Sequence, residues 1–550
     1  MMGDVRPRSA LISVWDKTGV ADFARALAEE FGVRIISSGG TAKALTAAGL
    51  RVTEVKDLTG MPEMLGHRVV TLHPKIHGGI LAIRDDPAHQ ADMTKYGIEG
   101  IDLVMVNLYP FEQAIAKPDC TFEQAIEMID IGGPTLVRAA AKNHKYVAIL
   151  TRPEHGQLVL DELRQRGGIS DATRLSLARQ AFEHTCLYDV AVSRYFQQKE
   201  GGRWPAVLAM ACRKVQECKY GENPHQAGAV YALPHHPSEP SLVRAKLPSG
   251  DPMSFNNYLD AEAAFQLLRD LHALGGGKPA VAWIKHTNPC GAAIADTPID
   301  AYRLAYLGDT TAAAGGIVAM NFPITPEIAT TVMTTYPTWG KAAGAAFFKL
   351  DVWIAPVFDP KALEIIRAPS EKRKWGKSCR LVEVGQIGGP ADATELDVKK
   401  ITGGLLIQGR DLVGLNEDQW KVVTKRKPTE PEMKGLRFAW LIAKHTKSNA
   451  IIVARGHTLL GTGAGQMSRV MSSRIAVDLA RENKHLDKDK TFVAASDAMF
   501  PVPDGPIWLM EAGATAIIHP GGSNRDADTV AAADQRGVAM IMTGTRHFKH

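Results

Sequence analysis

The sequence predicts an α/β protein whose N-terminal part is a parallel sheet with helices on both faces. Short apolar, strand-like runs alternate there with segments of helical apolar spacing. One run, IDLVMVNLY (101–109), is apolar almost throughout, as a strand buried on both faces must be. Length is the third observation. The chain has 550 residues, single cores rarely grow past about 250–300 residues, and roughly 150 per domain gives three or four units.

The elements follow in order. ALISV (10–14) reads as a strand, and VADFARALAEEFG (20–32) as a helix that stops on a glycine. VRIIS (33–37) is the next strand and TAKALTAAG (41–49) the next glycine-closed helix. Residues 171–198 read as one long helix, and KEGGRWP (199–205) as a polar, Pro-terminated linker. The expected division is residues 1–200, 206–370 and 371–550. A faint echo links WIKHTNPCGAAI (283–294) to LIAKHTKSNAIIV (441–453): each sets Lys-His-Thr and then Asn between apolar runs. Duplication is one reading and chance the other.

Hydrophobic residues at 45% and charged residues at 22% are ordinary globular values, which excludes disordered, collagenous and disulfide-stapled classes. The net charge of +5 from 64 basic and 59 acidic residues is too dilute to argue for nucleic acid. It suits small anionic ligands equally well. The N-terminus lacks a signal-type apolar stretch, and no 18 apolar residues run together, so no membrane segment is expected. Six cysteines without a paired framework fit a reducing cytoplasm. Cys212 and Cys218 have no matching pair, so no metal is expected.

Two loops look like anion cradles. SVWDKTG (13–19) and SSGGT (37–41) each follow a strand and open a helix, where backbone N–H groups carry partial positive charge and glycine admits a phosphate closely. Ser13, Lys17, Ser38 and Thr41 add donors. Ordinary capped turns are the plain alternative. RVVTLHPKIHGG (68–79) packs two histidines, a lysine and a proline without clear periodicity, and reads as a polar loop that is either a site candidate or a plain surface loop. Tyr109 ends a buried strand at the carboxyl edge, where open α/β sheets bind ligands. In IDIGGPTLVRAAAKNH (129–144), Asp130 precedes a Gly-Gly break, and Arg138 and Lys142 lie four apart on one helical face. They read as a solvated stripe or as groups facing an anionic substrate. In KHTNPCG (285–291), His286 can take a proton while Lys285 steadies negative charge. The segment lacks the second cysteine of a zinc deaminase box. GTGAGQMSR (461–469) reads as an anion cradle clamped by Arg469, or as a Gly-rich turn.

ISVWDKTG, SSGGTAKAL, LTGMPEMLGHRVVTLHPKIHGGI, NLYPFEQ, IDIGGPTLVRAAAKNH, YGENPHQ, KHTNPCG, GAGQMSR, SDAMFP and RHFKH occur in that order. From about residue 9 onward the chain resembles the bifunctional phosphoribosylaminoimidazolecarboxamide (AICAR) formyltransferase/IMP cyclohydrolase family of purine biosynthesis. The resemblance implies a methylglyoxal-synthase-like cyclohydrolase domain followed by tandem cytidine-deaminase-like α/β subdomains. It implies a homodimer acting on AICAR and its formylated product FAICAR, with 10-formyltetrahydrofolate as cosubstrate and no tightly bound cofactor, nucleic acid or membrane partner. His286, Lys285 and Asn449 are the implied formyl-transfer residues, and Asp504, Arg469, Arg546, Lys219 and Tyr220 bind the substrates. Ser13, Lys17, Ser38, Gly39, Gly40 and Thr41 are implied to hold the phosphate of the second reaction, Arg68 and Thr71 to bind its nucleotide, and Tyr109, Asp130 and Lys142 to surround its reacting groups. Three positions depart from the family: Val70 replaces a cyclohydrolase-site lysine, Lys219 replaces an arginine and loses its bidentate fork, and Ala314 stands where phenylalanine is usual. A formyltransferase whose N-terminal domain only binds nucleotide is the alternative, and a phosphate-sensing regulatory module is a second.

Overall fold

In a computed structural model that describes residues 3–233, 239–369, 374–487 and 490–550, the chain folds as two units, Met1–Ala211 and Cys212–His550. The first opens β1 (Ser9–Val14), α1 (Val20–Phe31), β2 (Arg34–Ser37), α2 (Gly39–Ala47) and β3 (Val52–Glu54). It continues through α3 (Val55–Thr59), α4 (Pro74–Leu81) and α5 (Pro87–Tyr96) to β4 (Leu103–Asn107). After α6 (Phe111–Ile115), α7 (Phe122–Glu127) and α8 (Gly132–Lys142), β5 (Ala148–Leu150), α9 (Glu154–Arg166) and α10 (Asp171–Glu200) complete it.

All five strands run parallel in the order β3-β2-β1-β4-β5. The order reverses direction between β1 and β4, so the crevice beyond their carboxyl ends is where such a sheet binds ligands. Leu103–Val106 are buried on both faces, which explains the unbroken apolar run. Helix α1 turns Phe23, Ala24 and Leu27 inward and ends on left-handed Gly32. Helix α10 reaches Glu200, so the first two residues of the expected linker are helical, and the unit itself ends at Ala211.

The second unit begins with the hairpin β6 (Arg213–Glu217) and β7 (Ala229–Ala232). It then runs β8 (Lys246–Ser249), α11 (Phe255–Leu274), β9 (Ala280–Ile284), β10 (Pro289–Ile294), α12 (Pro298–Gly308), α13 (Thr310–Ala313), β11 (Gly316–Met320), α14 (Pro326–Met333), β12 (Leu350–Ala355), α15 (Pro360–Arg367), α16 (Trp375–Ser378) and β13 (Arg380–Glu383). The hairpin β14 (Leu396–Ile401) and β15 (Gly404–Gly409) intervenes. A second series follows: β16 (Lys421–Val422), α17 (Glu430–Lys444), β17 (Ile451–Arg455), β18 (Thr458–Gly463), α18 (Arg469–Glu482), β19 (Phe492–Ser496), α19 (Asp504–Glu511), β20 (Ala514–His519), α20 (Asp526–Gln535) and β21 (Ala539–Met542).

The two series build one sheet ordered β16-β21-β20-β19-β17-β18-β10-β9-β11-β12-β13-β8. Read outward from the β18–β10 seam, each half repeats the other strand for strand. Packing repeats too. A Cβ on Gly291 would run into the Ala305 carbonyl oxygen of α12, and one on Gly461 into that of Ala476 in α18. These glycines face Trp283 of β9 and Val453 of β17. The duplication is therefore structural, but the Lys-His-Thr echo is not its register: residues 285–287 follow β9, whereas 444–446 precede β17. The expected boundary at 370/371 lies outside the described residues, and β13, beyond it, belongs to the first half of the sheet.

Candidate active sites

In the N-terminal unit, the loops after β1, β2 and β4 meet at the switch point. The Asn107 amide at the end of β4 clamps the first. Its oxygen accepts the N–H groups of Trp15 (2.6 Å) and Asp16 (3.1 Å), and its nitrogen donates to the Asp16 carbonyl (2.9 Å). Sequence reasoning passed over Asn107 because it closes an apolar run. Ser38 enters α2 extended and without a side-chain cap bond, and Gly39 has φ +52°. The N–H groups of Gly39, Gly40 and Thr41 form the first turn and point outward, as an anion site requires. A Cβ on Gly40 would lie 3.9 Å from Lys17 Nζ, so the first loop delivers its cation to the second. Ser13 is half-buried beside them at the end of β1. Thr41 does something else: its hydroxyl donates to the Val14 carbonyl (2.9 Å) and accepts the Val14 N–H (3.1 Å). Its side chain is thus a strut, and only its backbone N–H faces the cradle.

Tyr109 follows β4 and packs edge-on against Trp15 at 5.1 Å. Asp130, just before α8, accepts the Gly133 N–H at 2.7 Å and that of Tyr109. Burial pushes the Asp130 carboxyl above its ordinary value against these two donors, and burial together with the Asp130 charge raises the Tyr109 phenol. Tyr188 of α10 receives the Asp130 N–H at 2.7 Å and donates to the Met128 carbonyl at 3.0 Å, fixing the turn. Thr71 is buried with its hydroxyl against Gly132. Arg68 is exposed and pairs with Glu127. Residues 74–81 are helical, contrary to the polar-loop reading, because His73 caps them by accepting the Lys75 N–H and Pro74 takes the first position. Lys142 is exposed in the last turn of α8 while Asp130 precedes the first, and an 11-residue helix separates its ends by roughly 15 Å.

In the larger unit, Lys285 and His286 leave the end of β9, and the Lys285–His286 and Ser448–Asn449 peptide bonds are both cis. His286 is exposed, but its Nδ1 lies 3.1 Å from Oδ2 of buried Asp260 on α11, whose Oδ1 accepts the Thr287 N–H at 2.7 Å. That arrangement fixes Nδ1 as the protonated nitrogen and leaves Nε2 as a base. Sequence reasoning missed Asp260, which sits in an unremarkable helical pattern. Lys285 is half-buried and donates to the Ala314 carbonyl at 2.6 Å. Asn288 accepts the Lys447 N–H at 2.9 Å, which ties this segment to the one carrying Asn449. Asn449 donates to the Gln466 carbonyl and accepts the Ser472 hydroxyl on its backbone oxygen, both at 2.8 Å.

Arg469 departs from the anion-clamp reading. It is buried and donates to Asp497 and to Ser496 Oγ, while Asp497 also accepts the Ser448 hydroxyl (2.6 Å) and the Ala450 N–H (3.1 Å). Nor do the glycines before it form a cradle: Cβ atoms on Gly461 and Gly463 would strike carbonyls of α18, so these positions bring strand and helix together. The C-terminal segment is threaded beside Asp497. The His547 N–H donates to the Asp497 carbonyl (3.0 Å) and the Ser448 N–H to the Lys549 carbonyl (2.9 Å), with Arg546 exposed over the Phe548 ring at 4.4 Å. Lys219 lies 3.7 Å from Asp251, and the Tyr220 carbonyl accepts the Phe255 N–H, at the start of the helix that carries Asp260. Asp504 is exposed at the start of α19, accepting the Gly505 N–H at 2.7 Å.

The family described as AICARFT/IMPCHase bienzyme matches residues 140–479, and the MGS-like domain matches residues 19–135. The bifunctional purine biosynthesis protein PurH of Magnetococcus marinus is 45% identical over 554 residues, covering 99% of each chain. PurH of Neisseria meningitidis serogroup A is 46% identical over 555 residues, again covering 99% of each. A solved structure described as the crystal structure of ForH is 37% identical over 34% of this chain and 96% of its own, with a TM-score of 0.31. Among the described residues no helix is long and apolar enough to cross a membrane.

Proposed function

Since the chain belongs to the AICARFT/IMPCHase bienzyme family, whose members formylate AICAR and cyclise the product to IMP, we propose how its two clusters divide this work. The protein is an AICAR formyltransferase and IMP cyclohydrolase of purine biosynthesis that uses a folate cosubstrate. Formyl transfer belongs to the larger unit, and the observation that carries this is the Asp260–His286 pair. The AICAR 5-amine is conjugated and weakly nucleophilic, so it needs a base as it attacks the formyl carbon of 10-formyltetrahydrofolate. His286 Nε2 takes that proton, Lys285 steadies the oxyanion, and the bond from the formyl carbon to the folate nitrogen then breaks, with that nitrogen regaining a proton. Asn449 and Arg546 border the same region and bind substrate. Lys219, Tyr220 and Asp504 are proposed to bind it as well.

Cyclisation belongs to the N-terminal crevice. Lys17, Ser38 and the N–H groups of Gly39, Gly40 and Thr41 hold the phosphate, with Ser13, Arg68 and Thr71 around the nucleotide. Asp130 and Tyr109 face the reacting groups, where the carboxamide nitrogen attacks the formyl carbon and water leaves. Because the reaction is intramolecular, holding the two groups together supplies much of the acceleration. The same reading makes the protein a cytoplasmic homodimer, with Ile401, Leu405 and Leu406 exposed on the β14–β15 hairpin for burial.

Val70, where the family carries a lysine, favours a second reading, formyl transfer alone. The two-substrate assay separates them. Purified protein given FAICAR without folate forms IMP if both activities are present. No IMP absorbance beside normal formyl transfer would remove the cyclohydrolase.

A further inference from the structure

Resting on the placement of formyl transfer at Lys285 and His286, we infer that Lys349 is a second cation of that site, and that with Lys285 it forms a niche for an anionic oxygen over Gly315. Gly315 has φ +76°, and its N–H donates to the Lys349 carbonyl at 2.9 Å, so the ends of β11 and β12 meet there. From the point where a Gly315 side chain would begin, Lys349 Cε is 3.0 Å away, its Nζ 3.6 Å and Lys285 Nζ 3.9 Å. The lysine chain thus lies close over Gly315, where a side chain would crowd it, and brings its ammonium group to the same point as that of Lys285.

Each ammonium has three protons. One on Lys285 goes to the Ala314 carbonyl at 2.6 Å, and Lys349 lies 3.2 Å from Asp351. That leaves donors on both, and the three side chains sum to one positive charge. Two ammonium groups converging on one point repel each other, and an anionic oxygen between them relieves this. Lys349 is half-buried and Lys285 likewise, so solvent screens them only partly. Sequence reasoning passed over Lys349 because it interrupts the apolar run AAFFKLDVWIA. The formyl-transfer reaction offers two such oxygens, on the nucleotide phosphate and on the tetrahedral carbon formed by attack on the formyl group.

The test compares Lys349→Met and Lys349→Arg in the full-length protein, with inorganic phosphate as a competitive inhibitor against AICAR. The methionine variant is expected to lose at least tenfold in formyl-transfer kcat/KM, and the arginine variant to recover most of it. A raised KM for AICAR with weaker phosphate inhibition identifies the phosphate, and a lowered kcat at constant KM identifies the reacting oxygen. A methionine variant within twofold of the parent in both constants overturns the niche, as does an arginine variant as impaired as methionine while both melt like the parent. His286→Ala, assayed in parallel, keeps the outcomes apart: normal formyl transfer by that variant defeats the placement of the site, whatever Lys349 does.

Discussion

Asp260 holds His286 and its successor with one carboxylate, Oδ2 lying 3.1 Å from the imidazole Nδ1 and Oδ1 receiving the Thr287 N–H at 2.7 Å. The carboxylate is buried and the imidazole exposed, so a group locked into the protein orients one that faces solvent. Asp260→Asn keeps the size and removes control of the tautomer. Formyl-transfer kcat is expected to fall by on the order of 10²–10⁴, with KM for AICAR changed little and cyclisation of FAICAR unaffected. Steady-state kinetics on both substrates checks this.

Asp130 should trade stability for activity. Its folded-state carboxyl is harder to ionise than an exposed one because of burial. Folding therefore takes up a proton between the ordinary carboxylate range and the raised value, and stability falls as pH rises through that window. Above it the buried charge is a constant cost. Asp130→Asn should melt higher than the parent at pH 8, lose that advantage as the pH drops below the ordinary carboxylate range, and cyclise FAICAR poorly. Thermal melts across pH, paired with IMP formation, supply both readings.

Gly133 has no room for a side chain. A Cβ there would sit 2.5 Å from Asp130 Oδ2 and 2.7 Å from Leu108 Cδ2. Gly133→Ala is expected to cost about 1–3 kcal/mol and to push Asp130 out of line, lowering cyclisation while formyl transfer persists. An unchanged rate of IMP formation would show that Asp130 needs no such placement.

Arg469 should behave as a structural residue. Removing it strands buried Asp497 without its cation, a loss of about 3–5 kcal/mol. Arg469→Met is therefore expected to shift the denaturant midpoint of the larger unit strongly. A variant of parental stability with a raised KM for AICAR would restore the substrate-clamp reading.

Val70 is half-buried before Thr71 and cannot supply charge. Val70→Lys should raise the FAICAR cyclisation rate several-fold if a cation there steadies the cyclising oxygen, and leave formyl transfer alone. A flat response would show that this crevice works without it.

Legibility followed locality. Strands β1 and β4, helix α1 and almost all of α10 are readable because burial imposes periodicity on consecutive residues. The two loops proposed to hold the phosphate are readable for the same reason: glycines and hydroxyl residues stand next to one another at a strand-to-helix turn. Asn107, Asp260 and Lys349 were not, since each acts on residues far along the chain and no local pattern marks a side chain by its distant partner. The side chains of Thr41 and Arg469 show the converse. Their types suited a ligand, but the Thr41 hydroxyl faces Val14 and the Arg469 guanidinium is buried on Asp497.

The amino-acid order by itself determined the fold class, the parallel N-terminal sheet, the long closing helix and the ordered motifs that resemble one enzyme family, because these depend on neighbours in sequence. Tertiary structure alone decided the register of the internal repeat, which rests on Gly291 and Gly461 packing against helix carbonyls rather than on the Lys-His-Thr echo. It also decided which charged groups meet. Charges act through space within a few ångströms, and only folding sets Asp260 against His286, Asp497 against Arg469, and Lys285 and Lys349 about one glycine.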